Sequence, residues 1–271
     1  MNTEIEFGAR SDTGCVREGN EDSYGTAPEL GLFVLSDGMG GLAYGEVASR
    51  LAVETVVREC RGAKSALGTN GEFIGGVSAE SNRLVSAIRT ANQAIFRTAQ
   101  SSGAAQPMGA TIVAVRFAGE RMSVAHVGDS RAYRLRGEQL EQLTRDHSFV
   151  AEQVRQGRMT EREAEQSGLQ NVLIRALGTA PEVDVDVAEE LVLDDDTVLL
   201  CSDGLTRELS DAQIAAVLGE IDDAQEAANQ LVDAAKQAGG GDNITAIVLR
   251  SAAKPVGAFA RIGQWLKHPG N

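Results

Sequence analysis

The chain has 271 residues, of which 42% are apolar, and carries a net charge of −14. That length allows one large domain or two small ones, and the apolar share is enough for a core. So acidic a chain would be repelled by a phosphate backbone, which argues against a nucleic-acid partner. A phosphate substrate stays open, because bound cations reverse the local field. The start, Met1-Asn2-Thr3-Glu4, has no basic segment leading into an apolar one, so no secretory leader is expected. No run approaches the roughly 20 apolar residues that cross a bilayer, so no stable membrane insertion is expected. Cys15, Cys60 and Cys201 are odd in number and scattered, and read as free thiols of a reducing, cytoplasmic compartment.

Residues 5–9 alternate weakly and predict a first strand, followed by a polar loop over 11–23. The apolar run 32–35 predicts a buried strand that stops at Asp37, and Gly38, Gly40 and Gly41 follow. Helical spacing of apolar residues predicts helices over 45–60 and 78–99, separated by a loop over 62–76, and 101–107 breaks the second. Short runs at 111–117, 122–127 and 132–135, divided by turns, predict an antiparallel meander, extended by 140–143. The pattern over 148–168 is helical and charged, and 171–177 predicts another short helix. Strands are expected at 183–187, 197–201 and 244–249. Helices are expected at 212–218 and 224–238, the second capped by Asp223 and ended by Gly239. Strands at both ends of the chain with helix pairs between them argue for one α+β domain, not a βαβ unit. No phosphate-binding glycine motif supports a nucleotide cofactor.

Three acids stand beside glycine at strand ends: Asp37, Asp203 in Ser202-Asp203-Gly204, and Asp242 after Gly239-Gly240-Gly241. A carboxylate at the end of a buried strand is costly unless something neutralises it, and a divalent cation does so. Glycines let backbone carbonyls and ligands come close. Taken alone, Gly14 to Ser23, with Arg17, Glu21 and Asp22, reads as a solvated loop. Beside those acids it becomes a candidate part of one site, as does Gly128-Asp129-Ser130-Arg131.

The patterns R-x-x-x-E-D, S-D-G-M-G-G, V-G-D-S-R-A, S-D-G-L and G-G-x-D-N occur in this order over about residues 5–250. Further matches are Gly109-Ala110-Thr111, Thr144-Arg145-Asp146-His147-Ser148 and Arg175-Ala176-Leu177-Gly178. Together they resemble the metal-dependent protein phosphatase family, the type-2C serine/threonine phosphatases, in its bacterial branch. The resemblance implies a four-layer α-β-β-α sandwich, two antiparallel β-sheets flanked by helices on both faces. It implies two Mn²⁺ or Mg²⁺ ions, with Asp37 bridging both and the Gly38 carbonyl on the first. Asp203 and Asp242 would hold the second, and Asp22 would ligate there or hold its water. Asp129 with Asp203 matches a third, weaker metal. Arg17 would grip the substrate phosphate. The implied activity is hydrolysis of phosphoserine and phosphothreonine in proteins by a metal-bridging hydroxide, opposing a serine/threonine kinase. The implied partners are phosphorylated proteins, including such a kinase or its targets, and a monomer is expected. Oxygen-only ligands suit these ions and do not favour zinc.

Met39 stands where many eukaryotic members of that family carry a histidine as general acid, so the proton donor is open between a metal-bound water and an unplaced side chain. His147 is a candidate acid by type, with support of its loop as the other reading, and His126 reads as a core histidine. Residues 148–178 correspond to the family's flap, whose charges read as a solvated face or as a substrate gate. The phosphatase domain is expected over 1–251. The tail 252–271 is expected to be a short amphipathic helix lying on the domain or a frayed end, with partner docking as the alternative. The rival functions are a catalytically silent binding module on the same fold and a phosphatase of an anti-sigma-factor antagonist.

Overall fold

The computed structural model describes residues 5–40, 43–62, 73–102 and 108–251. The expected tail helix and most of the loops at 62–76 and 101–107 lie outside the described residues. The elements run β1 (Ile5–Asp12), β2 (Asp22–Ala27), β3 (Leu32–Met39), α1 (Ala43–Gly62), α2 (Ala79–Ser102), β4 (Gly109–Ala110), β5 (Ile112–Ala118) and β6 (Arg121–Val127). They continue as β7 (Arg131–Arg136), β8 (Gln139–Gln142), α3 (Phe149–Arg155), α4 (Glu161–Gln166), β9 (Asp186–Leu191), β10 (Thr197–Cys201), α5 (Asp203–Thr206), α6 (Asp211–Glu220), α7 (Ala224–Ala238) and β11 (Ile244–Ser251).

Two antiparallel sheets result, one ordered β1-β11-β10-β7-β8 and the other β2-β3-β5-β6-β9, with β4 paired to β3. Successive side chains of a strand leave opposite faces, and this alternation builds four layers. Leu32 and Val34 of β3 meet α1 and α2, with Ile112 and Ala114 of β5 beside them. Phe33, Leu35, Val113 and Val115 turn the other way and meet Leu200, Ile247 and Leu249 of the opposite sheet. On the far face Leu199, Cys201, Ala246 and Val248 meet α6 and α7. Each fully buried aliphatic side chain contributes roughly 2 kcal/mol, so three such cores outweigh any local propensity in fixing the layers. This is the α-β-β-α sandwich the motifs imply.

Asp223 and Gly239 cap α7 as expected; the Asp223 side chain accepts from the Glu226 amide at 2.7 Å. α7 lies so close to β1 that a Cβ at Gly8 would sit 2.2 Å from Gln225 Cα. The Gln225 amide bonds Ala9 N at 3.2 Å and Ala9 O at 3.0 Å, closing part of an otherwise open sheet edge. Gly8→Ala is therefore expected to push α7 outward and cost about 2 kcal/mol. Thermal unfolding should show a drop of about 6 °C; an unchanged Tm would mean that α7 shifts without cost.

Several expectations are corrected. The strand of residues 32–35 does not stop before Asp37 but continues to Met39, because Asp37 pairs with Asp22 on β2 and Gly38 with Ala110 on β4. The loop over 11–23 is shortened at both ends, by β1 reaching Asp12 and by β2 beginning at Asp22. The meander is split: β5 and β6 pair, but β7 crosses to the other sheet and pairs with β10. The helix over 171–177 is absent. There the backbone bridges outward instead, with Ile174 N bonding His147 O at 2.9 Å and Leu177 N bonding Ala110 O at 2.8 Å. The strand of 183–187 lies later, at Asp186–Leu191, on a sheet edge. One four-residue helix, α5, was not anticipated.

Candidate metal centre

The crossing from β6 to β7 decides where the site forms. Its turn, Gly128 to Ser130, carries Asp129 from one sheet to the other at the end of the sandwich where β3, β10 and β11 also present their acids. Asp37 lies on β3, Asp203 opens α5 directly after β10, and Asp242 precedes β11. Arg17 comes from the loop between β1 and β2. These side chains line one cleft of about 210 Å³, together with Glu21, Gly38, Met39, Thr111, Arg207 and Asn243. Asn171 and Leu173 of the segment after α4 form its outer wall. Of the predicted site residues, Arg17, Asp37, Gly38, Asp129, Asp203 and Asp242 meet in this cleft. Asp22 stands behind it, opposite Asp37 in the strand pair, and borders a second recess with Ser11, Asn20 and Ser23.

Neutral side chains hold the acids in place. Thr111 N donates to Asp37 O at 2.8 Å, and Thr111 Oγ1 accepts from Asp37 N at 2.9 Å while lying 2.7 Å from Ser130 Oγ. One threonine thus ties the Asp37 strand to the Asp129 turn. Asn243 does the same for the arginine loop. Its Nδ2 donates to Thr13 O and Gly19 O at 3.0 and 2.9 Å, and its Oδ1 accepts from Glu21 N at 2.8 Å. A Cβ at Gly38 would meet Gly45 O at 2.1 Å, so only glycine lets the start of α1 close over this strand.

Asp22 Oδ2 accepts from Ser202 Oγ at 2.8 Å and Thr245 Oγ1 at 2.7 Å. Asp242 Oδ2 accepts from Arg17 at 2.9 Å and from Arg207 at 3.2 Å, and Arg207 also pairs with Asp203. Oδ1 of Asp22 and Oδ1 of Asp203 are buried without a hydrogen-bond partner. Burial pushes Asp22 and Asp129 up to about 7. Burial, and then the charges of Asp22, Asp203, Asp129 and Asp242, hold Asp37 well above the usual carboxylate range. Burial also raises Glu21 and Asp203. Orphaned carboxylate oxygens and crowded, desolvated acids are what an all-oxygen set presents when it is built for hard dications. The donor set fits Mn²⁺ or Mg²⁺.

Arg207 is absent from the residues the sequence singles out, and Glu21 stands in the candidate loop without a role of its own. Glu21 was legible as the first half of the Glu-Asp pair, whose role went to Asp22 alone. Arg207 had no signal beyond its place four residues after Asp203.

The histidines lie elsewhere. Ligand-type atoms of His126, His147 and Asp186 fall within 4.8 Å of one another. That group is already satisfied. His147 Nδ1 accepts from Gly128 N at 3.1 Å, so the neutral ring carries its proton on Nε2, 3.3 Å from Asp186 Oδ2. Arg175 donates to Asp186 Oδ1 at 2.5 Å, and His126 Nε2 lies 2.8 Å from Arg145 O. His147 N donates to Gly128 O at 3.0 Å and its carbonyl accepts from Ile174 N. Burial, the neighbouring His126 and Arg175 lower His147 to about 4. Its bonds brace the Asp129 turn against the flap, which agrees with the reading of His147 as loop support. His126 is buried in β6, as expected.

The two-sheet sandwich with acids gathered at one end is the architecture of a metal-dependent phosphatase domain, and a family model described as Protein phosphatase 2C matches residues 16–238. The chain belongs to the protein phosphatase 2C family. Serine/threonine protein phosphatase PstP of Mycobacterium tuberculosis is 38% identical over 90% of this chain, which spans only 44% of that protein's length. Serine/threonine phosphatase stp of Listeria innocua is 35% identical, covering 89% of this chain and 93% of its own. The crystal structure of the PstP catalytic domain in complex with two manganese ions superposes with a TM-score of 0.78 at 36% identity, covering 92% of this chain and 99% of that one.

Proposed function

We propose that this chain is a metal-dependent protein phosphatase that hydrolyses phosphoserine and phosphothreonine in proteins. The observation that carries it is the convergence of Asp37, Asp129, Asp203 and Asp242, from four distant segments, on one cleft with Arg17 at its rim. Family membership and the names of the relatives support the same reading. Asp37, at the cleft centre, would be shared between two ions, with the Gly38 carbonyl on one and Asp203 and Asp242 on the other. Asp22, with its free Oδ1, would act from behind them. When bound, such ions supply an activated water and offset the charge of the transferring phosphoryl group.

The protein's own part is to hold and orient. Arg17 reaches Asp242 from a loop pinned by Asn243, and its planar fork suits a phosphate dianion. Met39 lines the cleft with a thioether and offers no proton. The flap wall, Asn171 and Leu173, stands where the residues flanking a phosphorylated side chain would lie. We place the catalytic domain at 1–251 and its substrates among the targets of a serine/threonine kinase, in the cytoplasm. No helix among the described residues is long and apolar enough to cross a membrane.

The test is hydrolysis of a phosphothreonine peptide with Mn²⁺ and after chelation. Mn²⁺-dependent turnover is expected. Chelator-insensitive turnover would overturn the metal reading, and Mn²⁺ binding without turnover would favour a silent binding module. Arg17→Ala should raise KM about tenfold with a smaller change in kcat, because phosphate contact is lost in ground and transition states alike. An unchanged KM would remove Arg17 from the substrate site.

A further inference from the structure

We propose that Arg207 is a built-in cation that holds the Asp203 side of the cleft against a third dication, so that the protein binds two metal ions and not three. This rests on the two-metal reading above. Asp203 is the first residue of α5 and Arg207 follows four positions later, so one helical turn sets them on the same face. The Arg207 guanidinium pairs with the Asp203 carboxylate and donates to Asp242 Oδ2 at 3.2 Å, bridging two acids of the cleft. Asp129 faces the same cleft from the β6–β7 turn. A cation shared by Asp129 and Asp203 would therefore lie next to the Arg207 guanidinium.

Charge balance points the same way. Glu21, Asp37, Asp129, Asp203 and Asp242 line the cleft with two arginines, Arg17 and Arg207, and Asp22 is buried directly behind Asp37. Fully ionised, that set carries an excess of four negative charges, which two dications neutralise. A third would leave the empty cleft positive. Without Arg207 the excess rises to five, and a third ion is repelled less. An ordinary helix ion pair would explain the Asp203 contact alone, but not the second bond to Asp242.

The full chain, stripped with chelator, is titrated with Mn²⁺ alone by calorimetry, and bound ions are counted by native mass spectrometry. The wild type should saturate at two equivalents. Arg207→Ala should take up a third, about tenfold weaker, and Arg207→Met, which keeps the aliphatic stem, guards against loss of fold. Arg207→Lys, which keeps the charge, should stay at two. Arg207→Ala with Asp129→Asn should return to two. A wild type binding three, an Arg207→Ala binding two, or a double variant still binding three would each overturn the proposal while leaving the metal centre standing. A wild type that binds no Mn²⁺ overturns both.

Discussion

Asp37→Asn is expected to lower kcat by a thousandfold or more, a loss of about 4 kcal/mol of transition-state stabilisation, while the protein stays folded. The fold should survive because the Asp37 backbone, not its carboxylate, makes the structural bonds: Asp37 N to Thr111 Oγ1, and Thr111 N to Asp37 O. Asparagine has the same shape and leaves both bonds in place. What changes is charge at the centre of the cleft, where one carboxylate would serve two ions. Asp203 and Asp242 are poorer choices for this experiment. Both hold arginines, so their substitution would release Arg207 or Arg17 and confuse ligand loss with altered phosphate binding. The measurement is turnover of a phosphothreonine peptide, with Mn²⁺ binding by calorimetry and Tm as the control for folding. Near-normal kcat with a native Tm would move the shared ligand away from Asp37.

Much of this site was legible because its acids sit in short motifs beside strands whose apolar runs are unmistakable. Val198 to Cys201 and Ile244 to Leu249 are buried on both faces and read as strands without any structure. β2 was not legible: Asp22 to Ala27 buries only Asp22 and Ala27, and its place is fixed by pairing with β3. The crossing of β7 to the second sheet was also hidden. A short turn between two alternating segments usually makes a hairpin, and here the partner strand β10 lies more than 60 residues further along the chain. Residues 171–177 have apolar spacing that suits a helix, yet Leu173 lines the cleft, Val172 and Ile174 are exposed, and Leu177 enters the helix-facing core. One periodic pattern was serving three separate surfaces. Arg207 went unseen because α5 spans a single turn, too short for periodicity to reveal which side chains share its face.

Metal-free protein should lose stability as pH rises from 6.5 to 8.0, and Mn²⁺ should abolish that slope. The sign follows from linkage. Asp22 and Asp129 titrate near 7 in the fold because burial disfavours their charged forms, and burial with the surrounding acids holds Asp37 well above the usual carboxylate range. In the unfolded chain such groups ionise near 4. Between these values the folded state binds more protons, so stability falls with rising pH until the folded groups ionise. The buried histidines act in the opposite sense, since both are lowered by burial. The unfolded ring titrates at about 6.5, so above that pH each ring still returns at most about 0.4 kcal/mol, and starting the window there excludes the larger part of their effect. Stopping at pH 8.0 keeps the thiols of Cys60 and Cys201 out, as their unfolded values lie near 8.5. A group titrating near 7 loses about 0.8 kcal/mol across this interval. Set against the histidines, Asp22 and Asp129 leave a net loss of about 1 kcal/mol, to which Asp37 adds in the same direction, so Tm should fall by about 3 °C or more for a chain of this size. Saturating Mn²⁺ keeps the acids ionised and paired at every pH in the window, so the Tm should be higher and level. A flat profile without metal would show that Arg17 and Arg207 already neutralise the cluster, and that the cleft does not depend on dications to stay charged.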